Sequence, residues 1–432
     1  AENMETINRE TLQADFDAFD ISEEFGFLLE EPLTNLPDNY RVWMDLANNL
    51  THLIKSRKLR DLVHEMPVLI PNLLSDHREL SLAHLALGFI SMGYVWQEGQ
   101  HAPAQVLPKA LAVPYWLVSR RLGLPPILTY ADSVLANWKL RDPTGDMEIG
   151  NMDLIFSFPG GESCRGFFIV SLLVEMAASS GIFKLNLSPS EFNQFTCCAF
   201  YESREIGITE FVLFPDHVDP TAFHGTLRIF VSGWRDNPML PNGLLYEGVS
   251  TEPMFLSGGS AAQSSAIQCF DALLSIQHDD ETGKDAFPST SDPQKMFPGK
   301  AVIYLFFLKV FFLDYMPPAH CQLIETLSAR PSLRDLILSC SSSDLCQAYN
   351  SCVSAMVDLR SYHLFAVQKY IVGPGNRTMG CPLRGVGTML NDKGTGGSNL
   401  MGFLKGVCNT TKKALISDRP CVPRENTMSF ML

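Results

Sequence analysis

The sequence predicts a predominantly helical protein of two or three domains. Apolar residues recur at helical spacing over long stretches, alternating strand patterns are scarce, and 432 residues exceed what one ordinary core holds. Hydrophobic residues make up 46% and charged residues 19%, so a large apolar interior is available and disorder is not the default.

Residues 40–65 carry Trp43, Leu46, Leu50, Ile54 and Leu59 between polar positions and predict helix. Residues 78–96 repeat the pattern with Leu80, Ala83, Leu87, Ile90 and Tyr94. Pro108, Pro114, Pro125 and Pro126 then predict short helices and loops. The polar run Lys139 to Asn151, with Asp142-Pro143-Thr144-Gly145-Asp146, marks the end of a first domain. Beyond it, helices are predicted over about 164–179, 260–277 and 350–372, joined by Gly- or Pro-rich connectors at 256–262 and 373–399. There is no internal repeat.

A net charge of −14 excludes nucleic acid and anionic membrane surfaces as expected partners, since both need a surplus of Lys and Arg. The polar, acidic start Ala1-Glu2-Asn3-Met4-Glu5 lacks the pattern of a secretory signal. Eleven cysteines, none in a CxxC, predict reduced thiols in the cytoplasm rather than a disulfide framework. Ala301 to Leu313 is strongly apolar, but it is short and broken by Lys309, whereas a bilayer span needs about 20 residues.

The chemistry-bearing residues are few. His363 lies on an apolar helical stripe with Met356, Leu359, Val367 and Tyr370. Such a histidine is ordinarily a core residue. Arg360, one turn earlier, admits a second reading, because a haem needs an axial nitrogen and a cation near its propionates. Phe167 and Ser171 stand i and i+4 on one helix face. They suit either an apolar pocket with one hydroxyl or a plain core helix whose Ser bonds back to its own carbonyls. Arg228, among apolar neighbours, requires an anionic partner, either a structural carboxylate or a substrate carboxylate held bidentately. Lys393-Gly394-Thr395-Gly396-Gly397 lacks the context of a phosphate loop and suits a mobile lid.

The strings ISEEFGFLL, MGYVWQEG, LGLPPILTYADSVLANW, GFFIVSLLVE, LRIFVSGW, YEGVSTEP, SGGSAAQSS, DYMPPAH, LRSYHL and KGTGG, in this order, resemble the indoleamine 2,3-dioxygenases over most of the chain. SFPGGES and SGGSAAQSS resemble the second vertebrate paralogue more than the first. The resemblance implies an all-α fold. A polar tail (1–15) precedes a small helical domain (16–150), which roofs a large helical haem domain (151–412). Residues 413–432 form an atypical tail. It implies that His363 is the proximal ligand of a haem b iron, that Arg360 contacts a propionate with Asp271 in support, and that Phe167 and Ser171 line the distal pocket. Tyr130, Ser133 and Val134 would form a pocket wall. Phe223 and Arg228 would hold the indole ring and carboxylate of L-tryptophan or a related indoleamine. Ser260 and Ala261 would form the loop above the haem, and Thr395 would close on the substrate. Ser171 and Arg228 are the residues expected to assist turnover, in which O2 is the co-substrate and a reductant keeps the haem ferrous.

Residues 181–216, 286–313 and 413–432 depart from the family pattern, and are expected to be splice variants or gene-model artefacts. His224 replaces a residue commonly aromatic in the family. Two further readings stay open: a haem protein that binds O2 with little or no turnover, and a signalling protein presenting Tyr115 or Tyr246 as phosphotyrosine motifs to an SH2-type partner.

Overall fold

A computed structural model describes residues 21–22, 24–185, 214–278, 313–340, 342–376 and 400–417. Within these the chain is helical, and the only strands are four two-residue segments. Thr395 and residues 286–312 lie outside the described residues, as do most of 181–216 and of the expected tail.

The predicted helix at 40–65 is three short helices: α1 (Arg41–Asn48), α2 (Leu50–Lys55) and α3 (Leu59–Glu65). Asn49 leaves helical geometry at the first break, and Arg57 takes a φ of +56° at the second. Apolar periodicity continued through both and hid them. α4 (His77–Trp96) matches its expectation. Glu79 accepts the Asp76 amide at 3.4 Å, a capping box that fixes its start. From Leu82 onward α4 is buried on every side, which makes it the central strut of the N-terminal half.

α5 (Lys109–Leu122) overturns one expectation. The helix runs through Pro114 instead of breaking there. Pro114, the sixth residue, cannot donate to the Ala110 carbonyl, and burial of Leu111, Ala112, Tyr115 and Val118 holds the helix together across that missing bond. The polar run 139–151 forms a hairpin. Lys139–Leu140 pairs antiparallel with Met152–Asp153, and Asn151 Nδ2 donates to the Asp142 and Asp146 carbonyls at 3.0 Å. The buried apolar residues on its two sides belong to one continuous cluster reaching from Ile21 to Ile416.

α6 (Glu162–Leu185) is long and apolar enough to cross a membrane, but 67% of its apolar window is buried inside the protein, which makes it a core helix. Phe89 of α4 stacks on Phe158 at 4.3 Å, and Phe158 stacks on Phe230 at 5.1 Å. That column carries the N-terminal half onto the segment after Arg228. α7 (Ser265–Leu273) is shorter than the predicted 260–277. Ser264 caps it by accepting the Ile267 amide at 3.2 Å, and Ser275 at φ +56° ends it. α8 (Pro318–Ser328), α9 (Leu333–Cys340) and α10 (Ser343–Val367) follow. α11 (Leu400–Lys413) packs along α10.

The signalling reading meets a correction here. Tyr115 and Tyr246 are fully buried, and burial pushes both phenols well above their ordinary pKa. Tyr246 Oη donates to the Pro126 carbonyl at 2.6 Å. A kinase or SH2 domain would have to unfold the core to reach either ring.

Candidate functional site

α10 delivers His363 and Arg360 to adjacent positions. Arg360 is buried, and its Nη2 donates to Asp271 Oδ2 of α7 at 2.6 Å, while Nη1 donates to Thr411 Oγ1 of α11. His278 Nε2 lies 2.9 Å from the same Asp271 oxygen. Burial alone would raise the Asp271 pKa. The Arg360 guanidinium, with His278, overcomes this and holds the carboxyl below its usual range. Asp271 Oδ1 is buried and has no hydrogen-bond partner among the described residues. His363 is half-buried on the helix face, and desolvation lowers its pKa to about 4, with Arg360 adding to the effect. That direction favours the neutral imidazole near pH 7.

The aromatic side of the site is built on α6. Gly166 lets the His217 backbone pass against the helix, where a β-carbon would stand 2.6 Å from its carbonyl oxygen. This close approach sets Phe167 beside Phe214 (6.0 Å between ring centroids) and Phe223 (4.9 Å). Tyr370 closes the cluster at 4.9 Å from Phe214 and 6.1 Å from Phe223. Tyr370 stands on a π-turn (Gln368–Val372) that continues α10, so the cluster is tethered two turns beyond His363.

Phe223 and Arg228 are related by a second π-turn, Phe223–Leu227. The Arg228 amide donates to the Phe223 carbonyl, an i to i+5 bond that puts both residues on one side of the chain. Arg228 is 1% exposed. His224 is buried in the same turn. Ser171 takes the bland option in this structure: its hydroxyl donates to the Phe167 carbonyl at 2.8 Å, leaving its lone pairs as acceptors.

Tyr130, Ser133 and Val134 are buried around a third π-turn, Ala131–Leu135. The loop with Ser260 and Ala261 reaches them, because Gln263 Oε1 accepts the Tyr130 amide at 3.1 Å. Its glycines make this close packing feasible. A β-carbon on Gly233 would fall 2.3 Å from the Gly258 nitrogen. The loop is thus held between the segment after Arg228 and the segment before Tyr130. Sequence reasoning missed the residue that ties these parts together. Glu175, one turn beyond Ser171, is a buried carboxylate accepting from Tyr130 Oη (3.0 Å), the Ala266 amide (3.3 Å) and the Ser264 hydroxyl. Its signal was present as a lone acid inside an apolar helix, GFFIVSLLVEMAASS. Burial raises its pKa, partly offset by those three donors.

With this geometry in hand, the profile of the indoleamine 2,3-dioxygenase family matches residues 15–414. The chain belongs to the indoleamine 2,3-dioxygenase family. It is 44% identical over 413 residues to human indoleamine 2,3-dioxygenase 2, covering 93% of this chain and 96% of the relative. Rat indoleamine 2,3-dioxygenase 1 is also 44% identical, over 92% of this chain and 95% of its own length. A myoglobin of Haliotis madaka is 35% identical over 91% of this chain and 97% of its own length. The family match spans both internal stretches that depart from the expected pattern.

Proposed function

We propose that this chain is a haem-dependent dioxygenase that adds both atoms of O2 across the indole C2–C3 bond of L-tryptophan, giving N-formylkynurenine. The observation that carries this reading is the pairing on α10 of His363 with an Arg360 braced by Asp271, in a chain of this family.

The residues fit a haem b. His363 offers an unprotonated ring nitrogen to iron. Arg360 spends only part of its donor fork on Asp271 and Thr411, so it can also take a propionate. When bound, haem b supplies O2 binding and the oxidative chemistry. The protein's share is placement. Arg228 would clamp the substrate carboxylate through the planar fork that only arginine presents. Phe223 and Phe167, in ring contact at 4.9 Å, would together present one aromatic wall for the indole to pack against. Tyr130, Ser133 and Val134 would wall the ring on the small-domain side, with Ser260 and Ala261 above the haem and Thr395 closing from outside the described residues. Ser171 would accept a hydrogen bond in the pocket. It is no general base, because a free hydroxyl does not ionise near neutral pH. An external reductant would keep the haem ferrous. The described cysteines are all free thiols, which suits a reducing compartment such as the cytoplasm.

The Haliotis relative supports a second reading, a haem protein that binds O2 without turnover. Arg228 favours the enzyme, since O2 storage needs no carboxylate clamp. Adding hemin to the purified protein tests both. A Soret band lost in His363→Ala supports the ligand assignment. N-formylkynurenine formed from tryptophan then selects the dioxygenase, and a stable oxygenated spectrum without product selects the carrier.

A further inference from the structure

The small domain holds a buried polar chain that neither the proposed haem site nor the pocket uses directly. His84 of α4 is fully buried. Its Nδ1 donates to Asp132 Oδ1 at 2.7 Å, and its Nε2 lies 3.0 Å from Ser119 Oγ and 3.2 Å from the Pro125 carbonyl oxygen. The Tyr115 ring lies 4.9 Å from the imidazole, one helical turn before Ser119 on α5. Asp132 Oδ2 accepts from the Thr129 amide (2.8 Å) and the Thr129 hydroxyl (2.7 Å), and the Asp132 amide donates back to Thr129 Oγ1 at 3.2 Å. Thr129 and Asp132 thus form a reciprocal capping box around the turn that begins at Tyr130. Histidine grips the outer oxygen of its acid.

Serine, histidine and aspartate occur here in the atom order of a hydrolytic triad. Ser119 is 1% exposed, so no substrate reaches it as a nucleophile. A fully bonded polar chain in an apolar core adds little net stability, yet it fixes one arrangement of the elements it joins. The elements joined are α4, α5 and the π-turn with Tyr130, Ser133 and Val134. Ser133 Oγ, bonded to the Thr129 carbonyl at 2.9 Å, belongs to the same lock.

We infer that His84 is a positioning residue, acting through Asp132 to hold the 130–134 pocket wall in place for the indole substrate. The inference rests on the dioxygenase reading for its substrate, but its structural half stands apart. His84→Leu removes the grip on Asp132. His84→Asn restores a donor close to the place of Nδ1. In hemin-loaded protein, the leucine variant is expected to keep its Soret band and kcat while KM for L-tryptophan rises about tenfold, and the asparagine variant is expected to regain most of it. Hydrogen exchange of the peptide covering 129–137 should quicken in His84→Leu and recover in His84→Asn, with α10 unchanged. That readout holds even if the wild type proves unable to oxidise tryptophan, an outcome that sinks the dioxygenase reading alone. Should His84→Leu fail to fold, exchange in the wild type decides. Amides 129–135 as slow as those of α4 support the lock, and exchange as fast as the 141–148 hairpin overturns it. An unchanged KM together with unchanged 129–137 exchange in a folded His84→Leu protein likewise overturns it.

Discussion

Lowering the pH from 7 to 5 should destabilise this protein through one buried histidine, His320. His320 of α8 is buried against Phe27, and its Nδ1 lies 2.8 Å from Ser265 Oγ at the start of α7. Desolvation lowers its pKa from 6.5 to about 3, with His77 adding to the effect. The folded state therefore holds the ring neutral, while the unfolded chain protonates it below pH 6.5. The unfolded state then binds more protons, so stability falls as pH drops from 6.5 toward about 3. At pH 5 the unfolded chain gains about 2 kcal/mol from this proton, and essentially nothing at pH 7. His320→Asn keeps a polar partner for Ser265 and removes the titration. Urea denaturation followed by far-UV circular dichroism at pH 7, 6 and 5 is the assay. The variant is expected to be the less stable at pH 7, and the gap should close by about 2 kcal/mol at pH 5. Other titrating groups cancel in that difference. Parallel wild-type and variant curves across this range would refute the argument.

Arg228→Leu should leave the hemin Soret band intact and raise KM for L-tryptophan by about a hundredfold, measured in steady-state assays of the loaded protein. Asp271→Asn leaves the Arg360 charge buried without its counter-ion. It should cost about 3 kcal/mol in urea unfolding and weaken hemin retention in a transfer assay to apomyoglobin. Phe158→Ala removes the middle ring of the column joining Phe89 to Phe230 and should lower unfolding free energy by about 3–5 kcal/mol. An effect near 1 kcal/mol would show that the two halves do not depend on that column.

Much of the helical layout was legible, because a face buried in a core writes its period into the sequence. α4 was read almost to its ends, whereas α6 runs six residues past its predicted C-terminal end. What failed was local. Periodicity cannot register a single residue at positive φ, so Arg57 and Ser275 went unseen. Nor can it separate an α-turn from a π-turn, since both bury the same apolar residues. The π-turn after α10 is held by a distant contact, Tyr370 Oη donating to the Val218 carbonyl at 3.0 Å. Pro114 carried a strong local signal against helix, which packing on both sides overrode. His363, Arg360 and Arg228 were legible as chemical anomalies, charged or titratable groups among apolar neighbours. Glu175 was the same kind of anomaly and passed unnoticed, because its partners Tyr130 and Ser264 lie far away in the chain. The Ser171 rotamer was open in the sequence and is set by its own helix.

The seam where Gly233 meets Gly258 limits how such a protein can diversify. Two main chains in direct contact cannot move apart by degrees, and neither position tolerates a methyl group. In the proposed pocket, room for a bulkier ligand would therefore come from trimming side chains such as Val134 or Phe167 rather than from lifting the 256–261 strap.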